Sequence, residues 1–365
     1  MRLAACVIAA VLYFAAQAQP LTNNPAWIRP ETEKSPPIWG IRDGIVVGLW
    51  PAAMEGAGQN SEGGPRGLLR IGYNYQGVTS LINFIAIEPL VNGDMEFSEV
   101  SPSATDGKLG KQFWAADSVN NSSFSPYANT RGVISHPDPK HPEVEELSLY
   151  VFMEKFLDGA NPYLKLTIRS DRPGELGLQI FNKPGSVAME RCALTATMGN
   201  YSRLRLLYLR GSVIDSRKLF AGYDDIEFDE KDPYPYIQML KSRNGDLYAV
   251  AESNENLAEL ASWPYQPKSN WRYRPGYKLT QYWRVDSSEY DQSLNVRVNG
   301  RAKYWAGGSN DKTKYINIPG GPAFENFELR EKYQPGQKFY FGLSLKGARE
   351  LVESLGHLVI ESFGH

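Results

Sequence analysis

Apolar positions along this chain recur mostly at period two, in runs of five to twelve residues broken by Gly, Pro, Asn and Asp. Alternation of that kind places one set of side chains on one face of a pleated strand and the other set on the opposite face. It predicts strands at 44–50, 67–73 and 80–91, then at 146–155, 163–171, 176–181, 190–198 and 204–211. Further strands are expected at 236–241, 247–252, 280–285, 293–298, 323–330 and 338–345. Ser80–Val91 is apolar at both parities, the mark of a strand buried on both faces. Turn residues between the central runs (Asp158-Gly159, Arg172-Pro173-Gly174, Lys183-Pro184-Gly185) predict an antiparallel meander, and Arg243-Asn244-Gly245-Asp246 predicts a hairpin. Helical spacing is confined to 256–261 and 348–355. The expected fold is all-β: a large antiparallel β-sandwich of two stacked sheets with few short helices.

The first residues change the picture of where this sandwich works. Arg2, an uncharged apolar stretch over 3–16 and Ala16-Gln17-Ala18 read as a cleavable secretory signal over 1–18, so a secreted or periplasmic protein is expected. A strap over 19–40 then leads into one sandwich domain over 41–365, interrupted by a long polar insertion at 101–145. No later apolar stretch is long enough to span a bilayer. Composition is that of a folded globule, 42% hydrophobic and 22% charged, and a net charge of −2 gives no electrostatic footprint for nucleic acid. Once the signal is gone, Cys192 stands alone in an apolar strand and reads as a buried, inert thiol.

Candidate chemistry is sparse. There is no phosphate loop, His-Glu-x-x-His, paired Cys-x-x-Cys or Gly-x-Ser-x-Gly elbow. His136 and His141 fall in a proline-rich stretch that reads as a solvated loop. Asp224, Asp225, Glu227 and Asp229 crowd an acidic loop that would suit a structural calcium, although a solvated loop explains them better; no other cofactor is expected. Carboxylates inside apolar strands need a partner or a task, which singles out Glu88, Glu190 and Glu325. Alternation would put Glu325 and Glu328 on opposite faces, so only one of them could share a cleft with Glu88 or Glu190. Aromatic and cationic residues mix in Tyr282-Trp283-Arg284 and in Asn299, Arg301, Tyr304 and Trp305, with Trp271 in an aromatic stretch just before them. Rings that stack on sugar C–H faces, beside groups that bond hydroxyls or carboxylates, suit a glycan groove.

Gly64–Ile71, Asn83–Pro89, Thr195–Tyr201, Thr280–Arg284 and Pro319–Leu329 resemble a group of secreted, mostly bacterial β-sandwich proteins of unassigned activity. The strand pattern more broadly resembles the sandwich domains of polysaccharide lyases and mutarotase-like enzymes. That resemblance implies the fold and carries no catalytic residue. The expected function is a secreted carbohydrate-active enzyme working on a polysaccharide or oligosaccharide. β-Elimination of a uronate-containing glycan is favoured, with Tyr282 as base, its pKa lowered by Arg284, and Arg284 holding the uronate, or with Tyr304 and Arg301 supplying that pair. A glycoside hydrolase with paired glutamates, or a non-catalytic glycan-binding or cell-envelope protein, are the alternatives.

Overall fold

The structure is a computed structural model. It describes residues 27–32, 35–49, 66–121, 123–124, 130–197, 203–225, 227–254, 272–273, 279–303 and 317–357. Residues 1–26 and 33–34, which include the expected signal and part of the expected strap, lie outside them, as do Trp271, Tyr304 and Trp305.

Alternating strands bury one face each, and here they do so against each other in two sheets. The first sheet has twelve strands, ordered Trp27–Ile28, Ile38–Ile41, Ile45–Gly48, Leu69–Tyr75, Val78–Val91, Arg191–Thr197, Ala323–Arg330, Asn295–Arg301 and Asp229–Glu230, with short pieces attached at its margins. The second has eleven, ordered Ser212–Asp215, Leu204–Leu209, Leu247–Ser253, Thr280–Val285, Lys338–Ser344, Glu175–Asn182, Pro162–Arg169, Glu146–Met153 and Phe113–Ala116, again with short additions. Pairing is antiparallel except where Arg272–Tyr273 joins Val78–Val91. Ile85, Ile87, Leu194 and Phe327 of the first sheet meet Leu149, Leu166, Leu178 and Trp283 of the second in one continuous core. Trp283 crosses it, its indole N–H donating to the carbonyl of Phe327 at 2.8 Å.

The expected meander holds only for Glu146–Met153, Pro162–Arg169 and Glu175–Asn182. The next strand, Arg191–Thr197, leaves for the centre of the first sheet, and Lys338–Ser344 from the far end of the chain takes its place beside Glu175–Asn182. Sequence neighbours usually pair, but Cys192, Leu194 and Ala196 bury one face of this strand in the core while Thr195 and Thr197 bury the other. A central position satisfies both faces. The polar insertion at 101–145 contributes Phe113–Ala116, an edge strand, and Val133–Ser135. The stretch expected as a strand at 236–241 is a 3-10 turn over Tyr236–Gln238 followed by the two-residue strand Leu240–Lys241. The helix Ala348–Ser354 lies on the outer face of the second sheet, packing Ala348 and Val352 over Tyr208, Val250 and Tyr282.

Candidate functional site

Because the core takes alternate residues, the register of the first sheet fixes what its outer face carries. One row across the strands runs Arg70, Phe84, Thr197, Asn326 and Asn299. The next runs Ala86, Thr195, Glu328 and Arg297, with Glu88 beyond it opposite Ala193. Val78–Val91 is therefore buried on both faces as its sequence implies; its outer side packs Leu81, Phe84 and Ala86 with Val46, Leu68, Ile318 and Ala323, and beside them carries Glu88 and the polar rows. Glu88, Glu328 and Glu325 are at most 2% exposed.

Glu325 joins this face through a β-bulge. Asn299 pairs with Asn326 but the next residue, Gly300, pairs with Phe324, so one residue of the opposing strand is skipped. The skipped residue is Glu325, and strict alternation no longer sends it away from Glu328. The expectation that these two glutamates occupy opposite faces is thus corrected. Gly300 allows the fit because a Cβ there would lie 2.4 Å from the Phe220 ring.

A fourth carboxylate, Glu99, reaches the group from a loop. Ser98 anchors that loop: its hydroxyl donates to the Gly67 carbonyl at 2.6 Å and accepts from the Ile87 N–H at 2.9 Å. Gly67 has φ +73°, and a Cβ on it would stand 2.0 Å from the Ser98 carbonyl oxygen. The Phe97–Val100 stretch has no strand or helix pattern, so nothing in the sequence marks Glu99.

The four carboxylates have different environments. Glu328 is paired with the Arg330 guanidinium and accepts the Thr195 hydroxyl, which are the partners of an ionised group. Thr195 has one proton and gives it to Glu328. Both Glu88 oxygens have no hydrogen-bond partner. Burial first, then the charges of Glu328 and Glu99, push Glu88 well above the ordinary carboxylate range. Burial likewise pushes Glu99 up to about 7, with the charges of Glu325 and Glu328 adding to it; the residue as a whole is only partly buried, but its Oε2 is enclosed and has no partner. Glu325 is pushed up to about 7 by burial, against the pull of Arg301, whose guanidinium is 3.4 Å away. Asn299 and Asn326 supply amides to the same face, and the Asn299 carbonyl oxygen is without a partner. The site thus sets carboxyls pushed up by burial beside one that is paired with an arginine, with hydroxyls and amides around them.

Glu190 stands apart from this group. It is exposed, accepts the Gly93 N–H at 3.1 Å, and lines a pocket of about 450 Å³ with Arg191, Asn295, Glu331 and Lys332 at the end of the same sheet. Asn295 of this pocket pairs in the sheet with Arg330, the residue that is ion-paired with Glu328.

Tyr282 and Arg284 sit on the outer face of the second sheet, on the side of the sandwich away from the glutamates. They share a face, as alternation requires, but the face is closed. Tyr282 is 8% exposed and its ring lies over Gly342, where a Cβ would be 2.0 Å from the ring. Its hydroxyl donates to Glu175 at 3.1 Å. Burial, then the Glu175 charge, raise its pKa well above the ordinary value, the reverse of the expected lowering by Arg284. Arg284 gives Nε and one terminal nitrogen to Glu175, both at 3.0 Å, and the other to Asp286 and Asp246. Its pKa is raised, because these carboxylates outweigh burial. A small cavity of about 160 Å³ lies beside it. Trp283 is a core residue and touches no surface.

Of the acidic loop, Asp229 is bridged by Lys231 at 3.0 Å and Asp224 by Lys303 at 3.5 Å. Among the described residues no group of three or more His, Cys, Asp or Glu side chains is disposed to hold a metal, and no helix is long and apolar enough to cross a membrane. No family model matches the chain, and neither the curated proteins nor the solved structures include a match.

Proposed function

We propose that this chain is an exported glycan-acting enzyme that cleaves glycosidic bonds by hydrolysis, with Glu99 as proton donor and Glu328 as the general base or nucleophile. One observation carries the reading: carboxylates from three separate segments converge on one sheet face in environments that push their protonation states apart. Hydrolysis of an acetal needs that pair, an acid to protonate the leaving oxygen and an ionised carboxylate to activate water or attack the sugar carbon. Glu99, carried on a loop, is the least buried residue of the four. Glu328 is ion-paired with Arg330 and oriented by Thr195. Thr197, Asn299 and Asn326 offer the hydroxyl and amide groups that bind sugar hydroxyls. Burial of Glu88 and Glu325 beside them keeps the local charge low, since a second and third ionised carboxylate there would repel the first.

β-Elimination at Tyr282 has weaker support. Glu175 already occupies the fork of Arg284, so a uronate would have to displace a buried carboxylate before the tyrosine could act.

The test is a polysaccharide panel assayed for new reducing ends and, in parallel, for absorbance near 235 nm. Reducing ends without 235 nm absorbance are expected from the native protein, with a loss of about 10²-fold or more in Glu328→Gln, the size expected for losing a general base. Absorbance near 235 nm would support elimination instead. Binding without any product would support a non-catalytic glycan-binding protein.

A further inference from the structure

The outer face of the second sheet, opposite the glutamates, carries an aromatic row that the proposed reaction does not use. Trp114 pairs with Phe152, Phe152 with Tyr163, and Tyr163 with Phe181, so four rings cross four adjacent strands. Their centroids follow at 6.3, 5.2 and 5.3 Å, and the last two rings are stacked at 18°. Polar strand faces that look outward normally carry charged or small residues, so a ring on every strand of one row asks for a ligand. Trp114 and Phe152 are buried, with the Lys183 ammonium over both rings at 4.8 and 4.9 Å. Tyr163 and Phe181 remain half-exposed.

The adjacent row reads Tyr150, Lys165, Gln179 and Lys338. Among the described residues Lys165, Lys183 and Lys338 have no carboxylate partner, although the chain has more acids than bases; the Lys338 ammonium lies over the Tyr340 ring at 4.7 Å. All three are half-buried against this face. Ammonium groups that meet rings but no carboxylate among the described residues, beside half-exposed rings, complement a chain with apolar faces and regularly spaced carboxylates.

The geometry points to a second binding surface, centred on Tyr163, Phe181, Lys165 and Lys338, that docks a uronate-bearing polysaccharide. Its sugar C–H faces lie on the rings and its carboxylates meet the lysines. It rests on the proposed function only for the class of ligand, since binding here needs none of the glutamates. A single-stranded nucleic acid would also stack on rings beside lysines. Its charge density, however, calls for a broad basic footprint, and this chain has a net charge of −2 with only three lysines on the face. Holding polymer on one side of the sandwich would raise its effective concentration at the other.

Calorimetric titration of the full chain with polygalacturonate and alginate oligomers, with dextran oligomers and oligo(dT) for comparison, tests this. The uronate oligomers should bind, more weakly at higher salt, and dextran should not. Lys165→Ala/Lys338→Ala, which leaves every ring in place, and Tyr163→Ala should each weaken binding by at least tenfold. Glu328→Gln should bind as the native protein does even where its turnover is lost, which separates failure of this surface from failure of the catalytic reading. Absence of uronate binding, tighter binding of oligo(dT), undiminished affinity in the lysine double variant, or self-association through this face in place of polymer binding would each overturn it.

Discussion

At the scale of single residues, the protein is organised by which carboxylates have partners. Glu175 is satisfied by Arg284 and Tyr282; Glu88 has none, and Glu325 has one oxygen bare. A buried carboxyl without a partner keeps its proton, and this ties stability to pH. Take Glu325, with an ordinary value of 4.5 and a folded value of about 7. Below pH 4.5 both the folded and unfolded chains hold the proton, so the group contributes no pH dependence. Between 4.5 and about 7 the unfolded chain releases it first, so stability falls as pH rises, by about 3 kcal/mol in total for one such group. Glu88, Glu99 and Glu331 act in the same direction. The folded protein should therefore lose stability between pH 5 and pH 8. Glu325→Gln should shrink that loss by about 3 kcal/mol, as denaturant titrations at the two pH values would show; an undiminished loss would mean that Glu325 ionises normally. Tyr282→Phe removes a buried hydroxyl whose acceptor keeps its arginine, so about 1 kcal/mol of stability should go. Turnover should be unchanged, because the ring lies on the sheet face away from the glutamates. A large fall in turnover at constant melting temperature would return the chemistry to Tyr282.

At the scale of elements, the strands were legible and their irregularities were not. Thr280–Val285 and Ala323–Arg330 have the bounds their alternation implies, and Trp283 lies on the opposite face from Tyr282 and Arg284 as period two requires. Glu88 stood out because it closes an apolar run. Glu325 stood out too, but its face was misassigned, since a bulge depends on the register of a partner strand and leaves no local trace. Glu99 was missed because a loop clamp holds it, and that clamp is readable only once Gly67, Ile87 and Ser98 are brought together. Arg284 misled in the other direction. An arginine beside a tyrosine looks like a free anion site until Glu175, distant in sequence, is placed against it. The clamp and the bulge can be tested through their glycines. Gly67→Ala would force φ +73° on a residue with a Cβ and drive that Cβ into the Ser98 backbone. The expected loss is about 1–2 kcal/mol from the backbone conformation alone, with turnover falling further than stability because Glu99 moves. Gly300→Ala meets the Phe220 ring and should cost about 1–3 kcal/mol. Melting temperature and turnover of both variants check this, and an Ala variant with native stability would show that the turn or bulge is not as drawn.

At the scale of the whole molecule, two sheets share one core and each turns a chemically distinct outer face away from it: carboxylates on one, rings and lysines on the other. Cys192 lies within that core at 1% exposure, its thiol pushed up by burial, so it reports on whether the sheets separate. Thiol labelling of the native protein should be slow and should track global unfolding in denaturant. Rapid labelling without unfolding would mean that the sheets open independently. The central claim concerns the other face, where Glu99, pushed up to about 7, is proposed as the acid and Glu328, paired with Arg330, as its partner. The most direct measurement is kcat/KM for reducing-end release against pH, in the native protein and in Glu99→Gln, on the best glycan of the panel. The account predicts that the native rate falls as pH rises through about 7, where Glu99 loses its proton, and that Glu99→Gln is slowed by about 10²-fold or more with that limb absent. A native profile flat across neutral pH, or a Glu99→Gln variant with the native rate and profile, would contradict it.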